Sequence, residues 1–194
     1  RVLFRSQMQM TDTLKKSEML AHVSLCSHPQ AKNVLIISDE ADSIESEVNR
    51  HKNLTITKST TLDSIRDAQD AIFDVVIIDN DTLNSADKVT FAHLKRATSK
   101  LAVVVCTATN YYSDNATHKT LLSAIGNEFR FSMPFNAESQ TFIFGSKKFH
   151  PTADLLVQKA DMIDDLNYYN ADIHRASFIL PTGVFKNLAS DMSL

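Results

Sequence analysis

Three short runs of nearly unbroken apolar residues constrain this chain more than any other feature: Asn33-Val-Leu-Ile-Ile37, Phe73-Asp-Val-Val-Ile-Ile78 and Leu101-Ala-Val-Val-Val-Cys106. A strand with one wet face alternates polar and apolar residues. A strand that is apolar at successive positions is buried on both faces, as happens when helices cover both sides of a parallel sheet. The segments between the runs supply those helices. After Ser38-Asp-Glu-Ala-Asp-Ser43, Ile44 and Val48 lie four apart on one helical face, and Leu54-Thr-Ile-Thr57 alternates like a strand. Residues 62–71 and 89–97 carry helical spacing, and 119–125 predicts a helix stopped by Gly126. Alternating strands and helices specify an α/β fold with a doubly wound, mostly parallel, Rossmann-like sheet. From Phe129 the pattern changes: Phe129-Arg-Phe131 and Thr141-Phe-Ile-Phe144 flank Pro134 and predict an antiparallel pair at one edge. A C-terminal helix is expected within residues 168–181, ended by Pro181 and Gly183.

At 194 residues the chain holds one α/β domain, and 43% apolar residues are enough for a full core. The apolar runs fall far short of the roughly 20 residues a spanning helix needs, so a soluble protein without membrane contact is expected. A net charge of -3 offers no basic field for a phosphate backbone, which argues against a nucleic-acid partner. Two cysteines, Cys26 and Cys106, sit in apolar settings and read as inert core thiols of a reducing, cytoplasmic compartment. The chain starts at Arg1 with no charged-then-apolar leader pattern, so no secretory signal is expected. The three glycines, Gly126, Gly145 and Gly183, cannot build a GxGxxG or GxxxxGK[ST] loop, which excludes ordinary dinucleotide and ATP-loop chemistry. The seven histidines are scattered without metal-ligand spacing, so no metal is expected.

Open α/β sheets bind ligands beyond the carboxyl ends of their strands. Residues 38–42, 79–82 and 107–112 therefore form the candidate crevice. Asp79 and Asp81 serve there either as ligand-facing carboxylates or as turn and helix caps. Asp39, Glu40 and Asp42 read as a solvated loop with helix N-terminal charge. His22, His174 and Arg175 read as structural, and Tyr111 and Tyr112 as ordinary loop residues.

The segment Tyr168-Tyr-Asn-Ala-Asp-Ile-His-Arg-Ala-Ser-Phe-Ile-Leu-Pro181 resembles the C-terminal signature of the spermidine synthase (polyamine aminopropyltransferase) family. Glu18-Met-Leu-Ala-His-Val-Ser-Leu25 with His28-Pro29 is similar to that family's EMLAHVPL helix and the turn before its first strand. Phe73 to Asp79 resembles its YDVIIVD strand, and Met133-Pro134-Phe135 with Gly145-Ser146-Lys147 its later strand pair. The resemblance implies a methyltransferase-type sheet over residues 17–194, preceded in 1–16 by a remnant of an N-terminal β segment. It implies a homodimer that transfers an aminopropyl group from decarboxylated S-adenosylmethionine, a co-substrate rather than a resident cofactor, to putrescine.

That reaction has definite requirements. An alkylamine with a pKa near 10, by analogy with the roughly 10.4 of lysine, arrives as an ammonium and must lose a proton before it attacks. The sulfur leaves as a neutral thioether and needs no acid. Carboxylates must therefore hold a dication and take a proton, with amine, methylene and sulfur in line. By resemblance Asp79 and Asp81 take the catalytic carboxylate roles, in Asp79-Asn-Asp-Thr82, which is one residue shorter than the family's DSTDP loop. Two residues apart on an extended chain, they are expected to face one side. Gln9, Ser38, Asp39, Asp42, Thr60, Asn80 and Phe135 are expected around the substrates. The family's GGGDG loop is replaced by Ser38-Asp-Glu-Ala-Asp42, whose side chains are expected to crowd a nucleoside. Ser59-Thr60-Thr61 stand where an adenine-side acid would be, and Lys16 or Ser17 replaces a tyrosine. A non-catalytic relative is the alternative these departures imply. Residues 33–140 also resemble a receiver domain, with Asp39-Glu40 as the acid pair, Asp79 as phosphoacceptor, Thr107-Ala108 as the switch and Met133-Pro134-Phe135 in place of Lys-Pro-Phe. That second resemblance leaves residues 18–25 and 168–181 unaccounted for.

Overall fold

The computed structural model describes residues 11–194. Six strands form one sheet in the order β2-β1-β3-β4-β6-β5. They are β1 Asn33–Ser38, β2 Thr55–Ser59, β3 Phe73–Asp79, β4 Thr98–Ala108, β5 Phe131–Ala137 and β6 Gln140–Ser146. Strands β2, β1, β3 and β4 run parallel, β6 runs antiparallel to β4, and β5 antiparallel to β6. This is the mostly parallel sheet with an antiparallel edge pair that the apolar runs specify. It rejects the receiver-like alternative, whose doubly wound sheet has the order 2-1-3-4-5. Pro134 lacks a donor and lies on β5, an edge strand where a missing N–H is tolerated.

The helices are α1 Asp12–Cys26, α2 Ala41–Val48, α3 Asp63–Arg66, α4 Lys88–Ala97, α5 Asn115–Glu128, α6 Val157–Asp161, α7 Ala171–Ser177 and α8 Thr182–Leu188, with a 3₁₀ turn at Asp81–Ser85. Successive strand residues divide between two cores. Val34, Ile36, Val75, Ile77, Val103 and Val105 pack with Met19, Leu20 and Val23 of α1 and Ile44 and Val48 of α2. Leu35, Ile37, Val76, Ile78, Val104 and Cys106 pack with Phe91 and Leu94 of α4 and Leu121, Leu122 and Ile125 of α5. Each such side chain, fully buried, contributes roughly 1.5–3 kcal/mol.

Several local expectations are corrected. The helix expected over 62–71 is only Asp63–Arg66, because the Arg96 guanidinium takes up the carbonyls of Ile65, Arg66 and Ala68 and stabilises a loop there. Gly126 does not stop α5. It lies inside the helix, where a Cβ would come within 2.8 Å of Ser193 Oγ, so it admits the C-terminal segment. Pro181 precedes α8 and Gly183 lies within it, so they start a new helix instead of merely ending the previous one. Residues 12–16 open α1 and are helical, with Thr11 capping through a bond from Leu14 N–H.

The N-terminal helix and the C-terminal signature meet in one joint. Glu18, fully buried on α1, accepts from the backbone N–H groups of Asn167, Tyr168 and Tyr169 at 2.9, 2.9 and 2.8 Å. The ring of His22, one turn further on, lies 5.0 Å from that of Tyr169. The Tyr169 hydroxyl pairs with His174 Nδ1 at 2.8 Å, and His174 Nε2 reaches the Pro151 carbonyl at 3.0 Å. Burial pushes His174 down to about 4, against the help of the Pro151 carbonyl and with a contribution from Arg175. A neutral imidazole thus ties α7 to the rest of the joint, the structural role expected of it.

Candidate functional site

The chain passes from β1 outward to β2 and then returns to add β3 on the other side of β1, so the strand order reverses between β1 and β3. This switch point is where open α/β sheets accept ligands. Ser38 and Asp79 stand side by side there, paired in register at the ends of β1 and β3. The Asp79 carboxylate is held on each oxygen. Oδ1 accepts from the Thr107 hydroxyl of β4 at 2.7 Å, and Oδ2 from the Ser38 hydroxyl at 3.3 Å. Lys16 Nζ of α1 lies 2.9 Å from Oδ2, with the two side chains only 20% and 6% exposed. Ser38 Oγ in turn accepts from Glu40 N–H at 3.0 Å.

Beside Ser38 opens a cleft of about 480 Å³, lined among others by Ser38, Asp39, Asp42, Lys58 and Thr60. Only Asp39 and Glu40 separate β1 from α2, so the first turn of α2 forms one wall and the end of β2 the other. Lys58 donates to Asp42 at 2.9 Å and to Glu45 at 2.7 Å. These hydrogen bonds raise the Lys58 pKa, and the bond from Lys58 lowers that of Asp42. Side chains therefore furnish this cleft where the family pattern has glycines. Among the described residues it remains open, with the side chains of Asp39, Glu40 and Thr60 along its sides.

The structure brings together Ser38, Asp39, Asp42 and Thr60 from the sequence-based set. Asp79 adjoins them through Ser38 but does not line the cleft. Asp81 does not share a side with Asp79 on an extended strand, because the 3₁₀ turn starts at Asp81. Asp81 is exposed and, among the described residues, its Oδ1 accepts only from the Asn84 amide, at 3.3 Å. Asn80 caps that turn, accepting from Thr82 N–H at 3.3 Å and from the Thr82 hydroxyl. Phe135 is a correction. It is fully buried, stacked on Phe142 at 5.0 Å and Phe178 at 5.1 Å, and forms core where a substrate contact was expected. Gln9 lies outside the described residues. Among the described residues no three His, Cys, Asp or Glu side chains converge as metal ligands would.

The sequence reading missed two cations, Lys16 as the partner of Asp79 and Lys58 as the clasp of α2. Both pairings join residues far apart in the chain, and no local spacing announces them. Cys26 and Cys106 are buried thiols whose pKa burial pushes up to about 11 and about 12. Lys147 of the Gly145-Ser146-Lys147 motif donates to the carbonyls of Lys95 and Thr98, both at 2.7 Å, and so closes the end of α4. Burial, with a smaller contribution from Lys95, lowers its pKa to about 8.

Sheet order, switch-point carboxylate and flanking cleft together define a Rossmann-like domain of the methyltransferase type. Spermidine synthase in complex with the transition-state analogue AdoDATO superposes with a TM-score of 0.81 at 23% identity, over 93% of this chain and 78% of that one. Spermidine synthase from Thermotoga maritima gives 0.79 at 23% identity, over 93% and 76%. The polyamine aminopropyltransferase of Helicobacter pylori (strain ATCC 700392 / 26695) is 30% identical over 210 residues, spanning 89% of this chain and 77% of the relative. That of Helicobacter acinonychis (strain Sheeba) is 26% identical over 201 residues, spanning 86% and 73%. The chain belongs to the polyamine aminopropyltransferase family. No family model matches it.

Proposed function

We propose that this protein transfers the aminopropyl group of decarboxylated S-adenosylmethionine to putrescine, giving spermidine and methylthioadenosine. The observation that carries the reading is the carboxylate of Asp79 at the switch point, with Asp81 on the next turn and an open cleft beside Ser38. In this reading the nucleoside lies in the cleft against Asp39, Asp42 and Thr60, and the diamine extends across the ends of β3 and β4. Among the described residues, the carboxylates Asp12, Asp39, Glu40, Asp42, Glu45, Asp79, Asp81 and Glu138 outnumber the ammonium groups Lys15, Lys16 and Lys58 at this end of the sheet, which favours a polycationic ligand.

The chemistry is a single displacement. Asp81, exposed and lightly bonded, takes the proton from one ammonium of putrescine. The freed amine lone pair forms the N–C bond as the C–S bond breaks, and its electrons return to sulfur as a neutral thioether. Placing amine, carbon and sulfur in line supplies most of the rate enhancement, as expected where no acid catalyst is needed. The same family resemblance carries a cytoplasmic homodimer, which sedimentation of the purified chain tests. Among the described residues, no helix is long and apolar enough to cross a membrane.

A second reading, a relative that has lost catalysis, is favoured by one observation: Lys16, Ser38 and Thr107 already hold the Asp79 carboxylate. Calorimetric titration with methylthioadenosine and putrescine, followed by an aminopropyl-transfer assay, separates the two. Micromolar nucleoside binding with product formation supports the transferase; a folded protein that binds no nucleoside supports the non-catalytic relative.

A further inference from the structure

Lys16 does to Asp79 what a substrate would do. A lysine side chain is a butylammonium tethered to the backbone, so the group lying 2.9 Å from Asp79 Oδ2 matches one end of a 1,4-diamine in head group and stem length. The contact is partly desolvated, with Lys16 20% and Asp79 6% exposed, so the pair is not an incidental surface bridge. Both carboxylate oxygens also carry a hydroxyl donor. An incoming ammonium therefore gains full access to Asp79 only if Lys16 leaves. The helix favours such a movement. From Ser17 onward α1 is buried, whereas residues 12–16 are exposed or half-buried, so the backbone at Lys16 is anchored from one side and its stem borders solvent.

We propose that Lys16 sets the affinity of the amine site, as a built-in ammonium that competes with the acceptor for Asp79. The proposal rests on the transferase reading for the identity of the acceptor. Its consequence is a conformational tax: the apparent dissociation constant of the amine equals the intrinsic one divided by the fraction of molecules in which Lys16 is displaced. The tax falls equally on diamines and monoamines, so Lys16 raises the threshold for every amine, and an acceptor whose second ammonium meets Asp81 is the one that still binds at low concentration.

The test is calorimetric titration of the full chain and its Lys16→Met variant with putrescine, n-butylammonium and methylthioadenosine. Putrescine is expected to bind Lys16→Met at least ten-fold more tightly than wild type. The gain for n-butylammonium should be equally large, and that for methylthioadenosine less than two-fold. Lys16→Arg, which keeps the tethered cation, should behave like wild type, and Lys16→Met combined with Asp79→Asn should lose the gain. Equal or weaker putrescine binding by folded Lys16→Met overturns the proposal, because Lys16 would then be inert or would position the substrate. If Lys16→Met does not fold, Lys16→Gln makes the same comparison while keeping a donor on Asp79. The two readings fail separately. Nucleoside binding with no gain for amines removes only the Lys16 competition, and a gain for amines without nucleoside binding removes only the transfer reaction.

Discussion

The joint between α1 and the C-terminal signature and the crevice at the end of β1 and β3 are built on opposite terms. In the joint the side chains of Glu18, Tyr169 and His174 are buried and have fixed partners: Glu18 holds three backbone N–H groups, and His174 bonds at both ring nitrogens. In the crevice the charged groups range from the nearly buried Asp79 to the exposed Asp42, and are held by other side chains that can move, Lys16 on Asp79 and Lys58 on Asp42. The two longest stretches by which the family is recognised in the sequence, 18–25 and 168–181, meet in the joint, and only the strand 73–79 carries the resemblance into the crevice. The residues that would touch substrate lie in the crevice, where the chain departs most from the family. The comparison teaches that a long, specific motif can mark a packing requirement, because a buried carboxylate tolerates few replacements and a solvated one tolerates many.

The largest effect is expected from breaking the joint. Glu18→Ala leaves three backbone N–H groups, one buried and two half-buried, without their acceptor and should lower stability by about 3–5 kcal/mol, read from urea unfolding. A loss below about 1 kcal/mol would mean that water replaces the carboxylate and that the joint is not closed.

The next effect comes with pH. His174 and His51 are buried and neutral, lowered from 6.5 to about 4 and about 3. For His51 burial is the main cause, followed by the charges of His22 and Lys159. The unfolded chain takes up protons on both near pH 6.5, which the folded chain refuses. Their contribution is therefore complete above that value and is lost as pH falls toward 4. For His174 the loss at pH 5 is about 2 kcal/mol relative to pH 7. Unfolding midpoints at pH 7 and pH 5 should show the fall, and His174→Gln should reduce it. An identical fall in that variant would put the sensitivity elsewhere.

Crevice substitutions should sharpen the contrast by separating binding from stability. Asp79→Asn removes the charge that holds Lys16 and is expected to lower stability by about 1–2 kcal/mol while abolishing putrescine binding in calorimetry. Asp81→Asn should leave the unfolding free energy within about 0.5 kcal/mol of wild type and weaken putrescine about ten-fold. Loss of stability from Asp81→Asn comparable to that from Glu18→Ala would erase the distinction between the two regions.

Much of the fold is legible in the sequence because double-sided burial writes itself into consecutive residues. The runs at 33–37, 73–78 and 101–106 became β1, β3 and β4 with their ends displaced by few residues, and Pro134 fell on the edge pair. What escaped were features set by distant partners. Gly126 looks like a helix stop until Ser193 packs against it, and residues 62–71 look helical until Arg96 collects their carbonyls. In the site, Asp79 and Ser38 follow from strand ends and the switch-point rule. The 3₁₀ turn that redirects Asp81, the Lys16 pairing and the burial of Phe135 depend on tertiary contacts that no local spacing encodes.

The Glu18 joint has a consequence for how the protein is made. Its carboxylate on α1 finds its partners only at residues 167–169, so during synthesis the joint must wait for those residues to emerge. Contacts of such long sequence separation form late and slow the final folding step. Until then α1 lies on the strands through Met19, Leu20 and Val23 with the Glu18 carboxylate unsatisfied at its edge. A chain cut before residue 167 would keep that helix on the sheet but leave a charge where the joint should close. Its defect should therefore show at α1, far in sequence from the cut.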